Sequence, residues 1–248
     1  MALDKVVDSS ALDAGMTSVA DAIRAKAGTT DQLLWPDGFK AAIEGISGVG
    51  DTSIEDGLVE RTITDYVNDR VESVGPYAFY LITSLLSVSM KNVKIFNGQN
   101  NFMGCTNLST IDFPKLESAS TGNAFRNCTA LTNAVLPRLV NPGVSFQGCS
   151  ALGRLDLGSE VDANEMVQIN FGNVSGCTNL TAIILRYKKI LLLSRTSFFD
   201  STPIVSGDGY IYVPSELVDG YKAATNWSVY ADQIRAIEDY PEITGGAA

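Results

Sequence analysis

Apolar and polar positions in the middle of the chain follow a phrase repeated four times. It reads Phe102-Met103-Gly104-Cys105-Thr106-Asn107-Leu108, then Phe125-Arg126-Asn127-Cys128-Thr129-Ala130-Leu131. It returns as Phe146-Gln147-Gly148-Cys149-Ser150-Ala151-Leu152 and as Val174-Ser175-Gly176-Cys177-Thr178-Asn179-Leu180. Each phrase feeds a short alternating run, whose apolar members are Ile111 and Phe113, Ala134 and Leu136, Leu155 and Leu157, and Ile183 and Leu185. Alternation with a period of two predicts strands with one buried face. The cysteines recur after 23, 21 and 28 residues. A unit of that size cannot bury its own apolar face, but stacked on its copies it makes the continuous core of a solenoid. Phe79 stands 23 residues before Phe102, and Phe198 stands 24 after Val174. Degenerate copies therefore flank the four, and about six coils are expected because terminal repeats are atypical.

The flanks follow other patterns. In residues 1–48, Ser18 and Asp21 form a capping-box-like start, Val19, Ala22 and Ile23 share a face, and Gly28 closes the helix. Trp35-Pro36-Asp37-Gly38 opens a second short helix carrying Phe39, Ile43 and Ile46. So small a pair buries too little to stand alone. It is read as an attachment or oligomerisation module, with Val19, Ile23, Trp35, Phe39 and Ile43 as its contact residues. Residues 49–57 have a linker composition. The alternation from Leu58 to Tyr66, the Asn68-Asp69 turn and Val71 and Val74 predict a hairpin or a first pair of strands, a β cap over 58–74 that covers the open end of the array. Repeats fill 75–213. After Pro214, Leu217, Val218 and Tyr221 share a face, and Trp227–Ile234 suggests a second helix, so 214–248 reads as a helical cap with a frayed end from 241. The expected class is α+β.

Two resemblances attach to these residues. The run Met16–Thr30, followed by Leu34-Trp35-Pro36-Asp37-Gly38-Phe39 and Ala42-Ile43, resembles a leader on tail and minor structural proteins of phages and prophages of Gram-positive bacteria. The pattern Phe-x-Gly-Cys-Thr-x-Leu-x-x-Ile-x-Phe-Pro, with Ala78-Phe79 and Ala124-Phe125 as openings, resembles the BspA-type leucine-rich repeat. The first resemblance implies a virion component assembled in the host cytoplasm, bound to other tail proteins through its N-terminal module. By analogy with fibres it also implies a homotrimer. The second implies a leucine-rich-repeat β-solenoid closed by a C-terminal cap, and equally suits a bacterial cell-surface adhesin.

Charge and chemistry narrow the function classes. The formal net charge is −10, yet residues 74–213 carry ten basic and eight acidic side chains, so the acidity lies in the flanks. Nucleic-acid binding needs a concentrated basic surface, which is absent. The small cluster Arg186, Lys188, Lys189 and Arg195 reads as a solvated face. Residues 1–15 lack the pattern of a secretion signal, and no run is apolar enough to insert in a membrane. There is no histidine, which excludes Ser-His-Asp and Cys-His nucleophiles and imidazole zinc sites. The four cysteines lack the close pairs of a zinc ribbon, and equivalent positions in stacked coils point the same way. They are expected to be free, buried small hydrophobes. The sequon asparagines Asn107, Asn127, Asn173, Asn179 and Asn226 are expected to satisfy backbone groups at turns. No cofactor or metal is expected.

Asp112 and Asp156 are the carboxylates nearest to a glycosidase arrangement, but they sit on equivalent positions two coils apart, too far to cooperate. An enzyme is not expected, and a carbohydrate-active solenoid is the third reading after virion protein and adhesin. The candidate interaction surface is the outward strand ladder Thr110 and Asp112, Asn133 and Val135, Arg154 and Asp156, Ala182 and Ile184. Its apolar end at Ile184 is the expected protein contact, and a host-surface glycan or protein is the expected ligand.

Overall fold

The computed structural model describes residues 53–54, 62–119, 122–140, 143–158 and 172–244. Two units divide the chain, Met1–Asp51 and Thr52–Ala248. The N-terminal module, with Val19, Ile23, Trp35, Phe39 and Ile43, lies outside the described residues. So do most of the linker and the last four residues.

Among the described residues every sheet is parallel, as stacking of like units requires. One face of the array carries β2 (Asp65–Val67), β4 (Ser87–Ser89) and β6 (Thr110–Asp112) as one ladder. It continues in β8 (Asn133–Leu136), β9 (Arg154–Leu157), β10 (Ala182–Leu185), β11 (Tyr210–Val213) and β12 (Ile234–Ala236) as a second. Strands β6 and β8 are neighbours without ladder pairing. A second, narrower sheet joins β1 (Ser53–Ile54), β3 (Ser73–Val74), β5 (Ile95–Phe96) and β7 (Ser118–Ala119). The register is that of a repeat: Ile111 pairs with Val88, Leu155 with Ala134 and Ile183, and Ile183 with Ile211.

Six strands of the main face lie within residues 75–213, and one more lies on each side. At the N-terminal side, of the two readings of 58–74 the structure has the first pair of strands and not the hairpin. Strands β2 and β3 do not pair with each other but join two different sheets, each parallel to the following coil. This stretch is a rung of the array, and its turn at Asn68-Asp69 carries the chain from one sheet to the other. At the other end, residues after 214 are not wholly helical. A 3-10 turn (Ser215–Leu217) runs into α2 (Val218–Ala223), a 3-10 helix spans Trp227–Gln233, and β12 then adds a strand to the sheet. The short helix α1 (Pro203–Ser206) precedes β11.

The interior is built of ladders. Phe79, Phe102, Phe125 and Phe146 stack face to face, with centroids 4.7, 5.4 and 5.1 Å apart and planes within 13°. Offset stacking at this spacing adds to the burial of each ring. Val174 continues the ladder, but its successor is Phe199 rather than Phe198. The Phe146 amide donates to Asn173 O and the Val174 amide to Phe198 O, so Phe198 matches Asn173 in register. Phe199 is fully buried against Trp227 and Tyr230, whereas Phe198 is half-buried.

The third position of the repeated phrase explains its glycine. Leu81, Gly104, Asn127, Gly148, Gly176 and Ser201 all have φ between 57° and 78°. In the first five of these six the amide reaches the next coil: Gly104 N donates to Arg126 O, Asn127 N to Gln147 O, and Gly148 N to Ser175 O, each at 2.8 Å. That left-handed backbone is the reason for Gly or Asn here. A Cβ on Gly104 would also collide with a Leu81 methyl.

Candidate interaction surface

The cysteines follow the left-handed residue and point inward. All four are free and fully buried. They are more than small hydrophobes. Each thiol donates to the phenylalanine carbonyl one coil back: Cys105 to Phe79 O (2.9 Å), Cys128 to Phe102 O (3.2 Å), Cys149 to Phe125 O (3.0 Å) and Cys177 to Phe146 O (3.1 Å). The ladder therefore stitches successive coils, with sulfur adding a second donor to a carbonyl that already accepts a turn amide, as Phe102 O does from Cys105 N at 3.2 Å. Burial pushes the Cys105 thiol up to about 12. The adjacent thiol, and then burial, hold Cys149 and Cys177 far above the ordinary range. A thiol reagent should therefore find no reactive cysteine in the native protein near neutral pH, and four after denaturation. Native-state labelling of all four would contradict the ladder. The unfolded chain ionises Cys105 near the ordinary 9.0 while the folded chain holds its proton to about 12, so this contribution to stability is present below pH 9 and is lost as pH rises towards 12.

Three of the sequon asparagines do bond turn backbone. Asn107 Nδ2 donates to Thr83 O (2.8 Å) and Asn226 Nδ2 to Leu193 O (2.6 Å), while Asn173 Oδ1 accepts from Ser175 N (2.8 Å). Asn127 serves instead through its left-handed backbone.

The outward strand ladder divides into two parts. On the first rungs Asp65, Val67, Thr110, Asn133 and Val135 are exposed and Ser87, Ser89 and Asp112 are half-buried. Ser89 donates to Asp112 at 2.9 Å across adjacent strands. On the later rungs the face is covered. Ala182, Ile184 and Tyr212 are buried, with Tyr210, Ile237, Tyr240 and Ile243 packed over them. The cover is the chain's own end, the 3-10 turn Ile237–Asp239 and helix α3 (Pro241–Thr244), so residues 241–244 are not frayed. Arg154 Nε holds it by donating to Ile243 O at 3.2 Å, and the Arg235 guanidinium lies 3.3 Å over the Tyr210 ring. This corrects the expectation for Ala182 and Ile184. An apolar patch on an outer sheet face needs a cover, and here an intramolecular segment supplies it, so no partner meets Ile184 while the segment is seated.

Asp156 marks the border between the two parts. Its carboxylate is 5 % exposed and is gripped by two guanidiniums, Arg154 Nη2 at 2.6 Å from Oδ2 and Arg186 Nε and Nη2 at 2.8 and 2.9 Å. Arg186 thus leaves the basic cluster to serve as a clamp, while Lys188, Lys189 and Arg195 stay exposed. A carboxylate paired on both oxygens is neither a free base nor an acid for catalysis. Among the described residues no group of histidine, cysteine, aspartate or glutamate is placed to hold a metal ion. No helix there is long and apolar enough to cross a membrane.

A feature missed in the sequence lies on the turn edge. The second residues of the repeated phrase, Met103, Arg126, Gln147, Ser175 and Asp200, stack as an outward ladder, since each offers its carbonyl to the left-handed amide one coil back. Where this ladder meets residues 195–201, a polar groove of about 540 Å³ opens, lined among others by Arg126, Asn127, Gln147, Arg195, Phe198 and Asp200. The periodicity of the phrase was the available signal, because a position that varies freely beside an invariant turn points outward.

A family model described as BspA type leucine rich repeat region matches residues 62–181 in six copies. No curated protein matches the chain. Among solved structures, the chain is similar to the Treponema pallidum leucine rich repeat protein, at 24 % identity and TM-score 0.38 over 51 % of this chain and 60 % of that one. It is also similar to a leucine rich cell surface protein of Faecalibacterium prausnitzii, at 19 % identity and TM-score 0.33 over 61 % and 55 %. A third is the pneumococcal vaccine antigen PcpA, at 14 % identity and TM-score 0.45 over 75 % and 42 %. The chain therefore spans less than two thirds of the length of each. The phrase, the parallel rungs and the six-copy match agree that residues 62–181 are a repeat array similar to the BspA type leucine rich repeat.

Proposed function

We propose that this chain is a non-enzymatic structural and interaction protein of a phage or prophage particle, a tail, baseplate or fibre component. In this reading residues 1–48 attach it to other virion proteins as a homotrimer, and the repeat array is a spacer or an element that contacts the host surface. The leader Met16–Thr30 with Leu34–Phe39 carries the reading. The array supports it, because stacked short strands with ladders of thiols and rings make a rigid body, and because the deeply buried carboxylate of Asp156 is tied up in ion pairs.

Deleting residues 1–48 tests the proposal. The truncated protein should still melt cooperatively, run as a monomer in light scattering, and fail to join its particle, with tails losing mass or host adsorption in negative-stain and plating assays. Assembly of the truncated chain into particles overturns the attachment role. Recovery of the full chain from the surface of phage-free cells would favour the adhesin reading instead.

A further inference from the structure

The arginines of the described array are mostly committed. Arg138 lies 3.9 Å from Glu117, Arg154 and Arg186 grip Asp156, and Arg235 covers Tyr210. Arg126 and Arg195 have no ion pair among the described residues, and both line the turn-edge groove. Arg126 is also held in place there. Its Nε is buried without a hydrogen-bond partner, so packing fixes the side chain and internal acceptors do not use it. Leaving a buried donor unpaired is unfavourable, and the fold sustains that cost at this position.

We infer that this groove binds an acidic saccharide, one carrying a carboxylate on the sugar ring. A guanidinium matches a carboxylate by paired N–H donors better than a lysine would, and the groove carries one at each of two places along its length. Asp200 on the same wall leaves the groove a net charge of about one, which suits one carboxylate per sugar unit better than a doubly charged phosphate. Asn127 and Gln147 supply amide donors and acceptors for ring hydroxyls, and the half-buried Phe198 offers an apolar surface for a ring face. The volume lies within the roughly 300–1,000 Å³ of small-ligand sites. The groove is on the turn edge, away from the strand face, so the inference goes beyond the proposed virion role and stands without it.

Titration of the purified full chain with trigalacturonate, followed by calorimetry or NMR shifts, tests this. Saturable binding is expected, weakened at least tenfold in Arg195→Gln and in Arg126→Gln, and absent for neutral maltotriose. Arg195 is exposed, so its variant keeps the test open if Arg126→Gln perturbs the turn. Absence of trigalacturonate binding, or equal affinity in the wild type and Arg195→Gln, overturns the site. Equal binding of maltotriose removes the role of the carboxylate, and equal binding of a hexaglutamate peptide removes the role of the sugar. Either result also overturns the inference, and neither bears on particle assembly.

Discussion

Phe125→Ala should lower the free energy of unfolding by about 3–5 kcal/mol, the range for truncating a fully buried aromatic ring. The ring is sandwiched between Phe102 and Phe146 at 5.4 and 5.1 Å, with planes 8° apart on both sides. It also meets the edge of Phe96 at 5.8 Å. A solenoid has only nearest-neighbour interfaces, so no distant contact compensates for a gap in the ladder. The lesion falls between the coils of β6 and β8, where the main face already lacks strand pairing. A second consequence follows: the two ends of the array should melt less cooperatively, with a broader denaturant transition and a smaller apparent m. Asn133→Ala, on an exposed outward position two residues past the buried Leu131, should stay within about 0.5 kcal/mol. Similar midpoint shifts in the two variants would refute the strand register.

The sequence shows this ladder because the repeat makes the register periodic. Cys105, Cys128, Cys149 and Cys177 align without knowledge of any contact, and inward and outward residues follow by alternation. Legibility fails where a coil loses the phrase. Residues 62–74 have an apolar alternation and an Asn-Asp turn, which locally describe a hairpin equally well. Only pairing with Ser87–Ser89 and Ile95–Phe96, more than 20 residues away, makes them a rung. The end of the array fails for a related reason. Ile237, Tyr240 and Ile243 are plainly apolar, and so are the outward Ala182 and Ile184, but the chain path that lays one set on the other has no local signature. Their complementarity was the readable clue, since an outward apolar pair on a polar face calls for a cover. The turn-edge groove was legible only in part. The phrase gives Arg126 and Gln147 their outward aspect, whereas Arg195 and Phe198 belong to a coil in which the phrase has decayed.

Asp156→Ala is the substitution that separates a structural carboxylate from a catalytic one. It removes the shared acceptor of Arg154 and Arg186 and leaves two guanidiniums side by side on a largely covered face, their side chains 28 % and 29 % exposed. Breaking a buried pair by removing one member costs about 3–5 kcal/mol, and the partial access of water to the arginines puts the expected loss near 3 kcal/mol. The damage should spread, because Arg154 also donates to Ile243 O. Without Asp156 to orient it, the clasp on the terminal segment loosens and Ala182, Ile184 and Tyr212 become accessible. Binding of a hydrophobic dye and a change in the near-ultraviolet signal of Tyr210, Tyr212 and Tyr240 should therefore precede global melting in the variant. Asp156→Leu combined with Arg154→Met and Arg186→Met should recover much of the loss, since an apolar replacement for all three leaves no charge unpaired. Recovery of stability in the triple variant, together with early dye binding in the single one, is the result expected of a clamp. A single variant that melts like the wild type while losing a glycan-cleaving activity would assign Asp156 to catalysis instead.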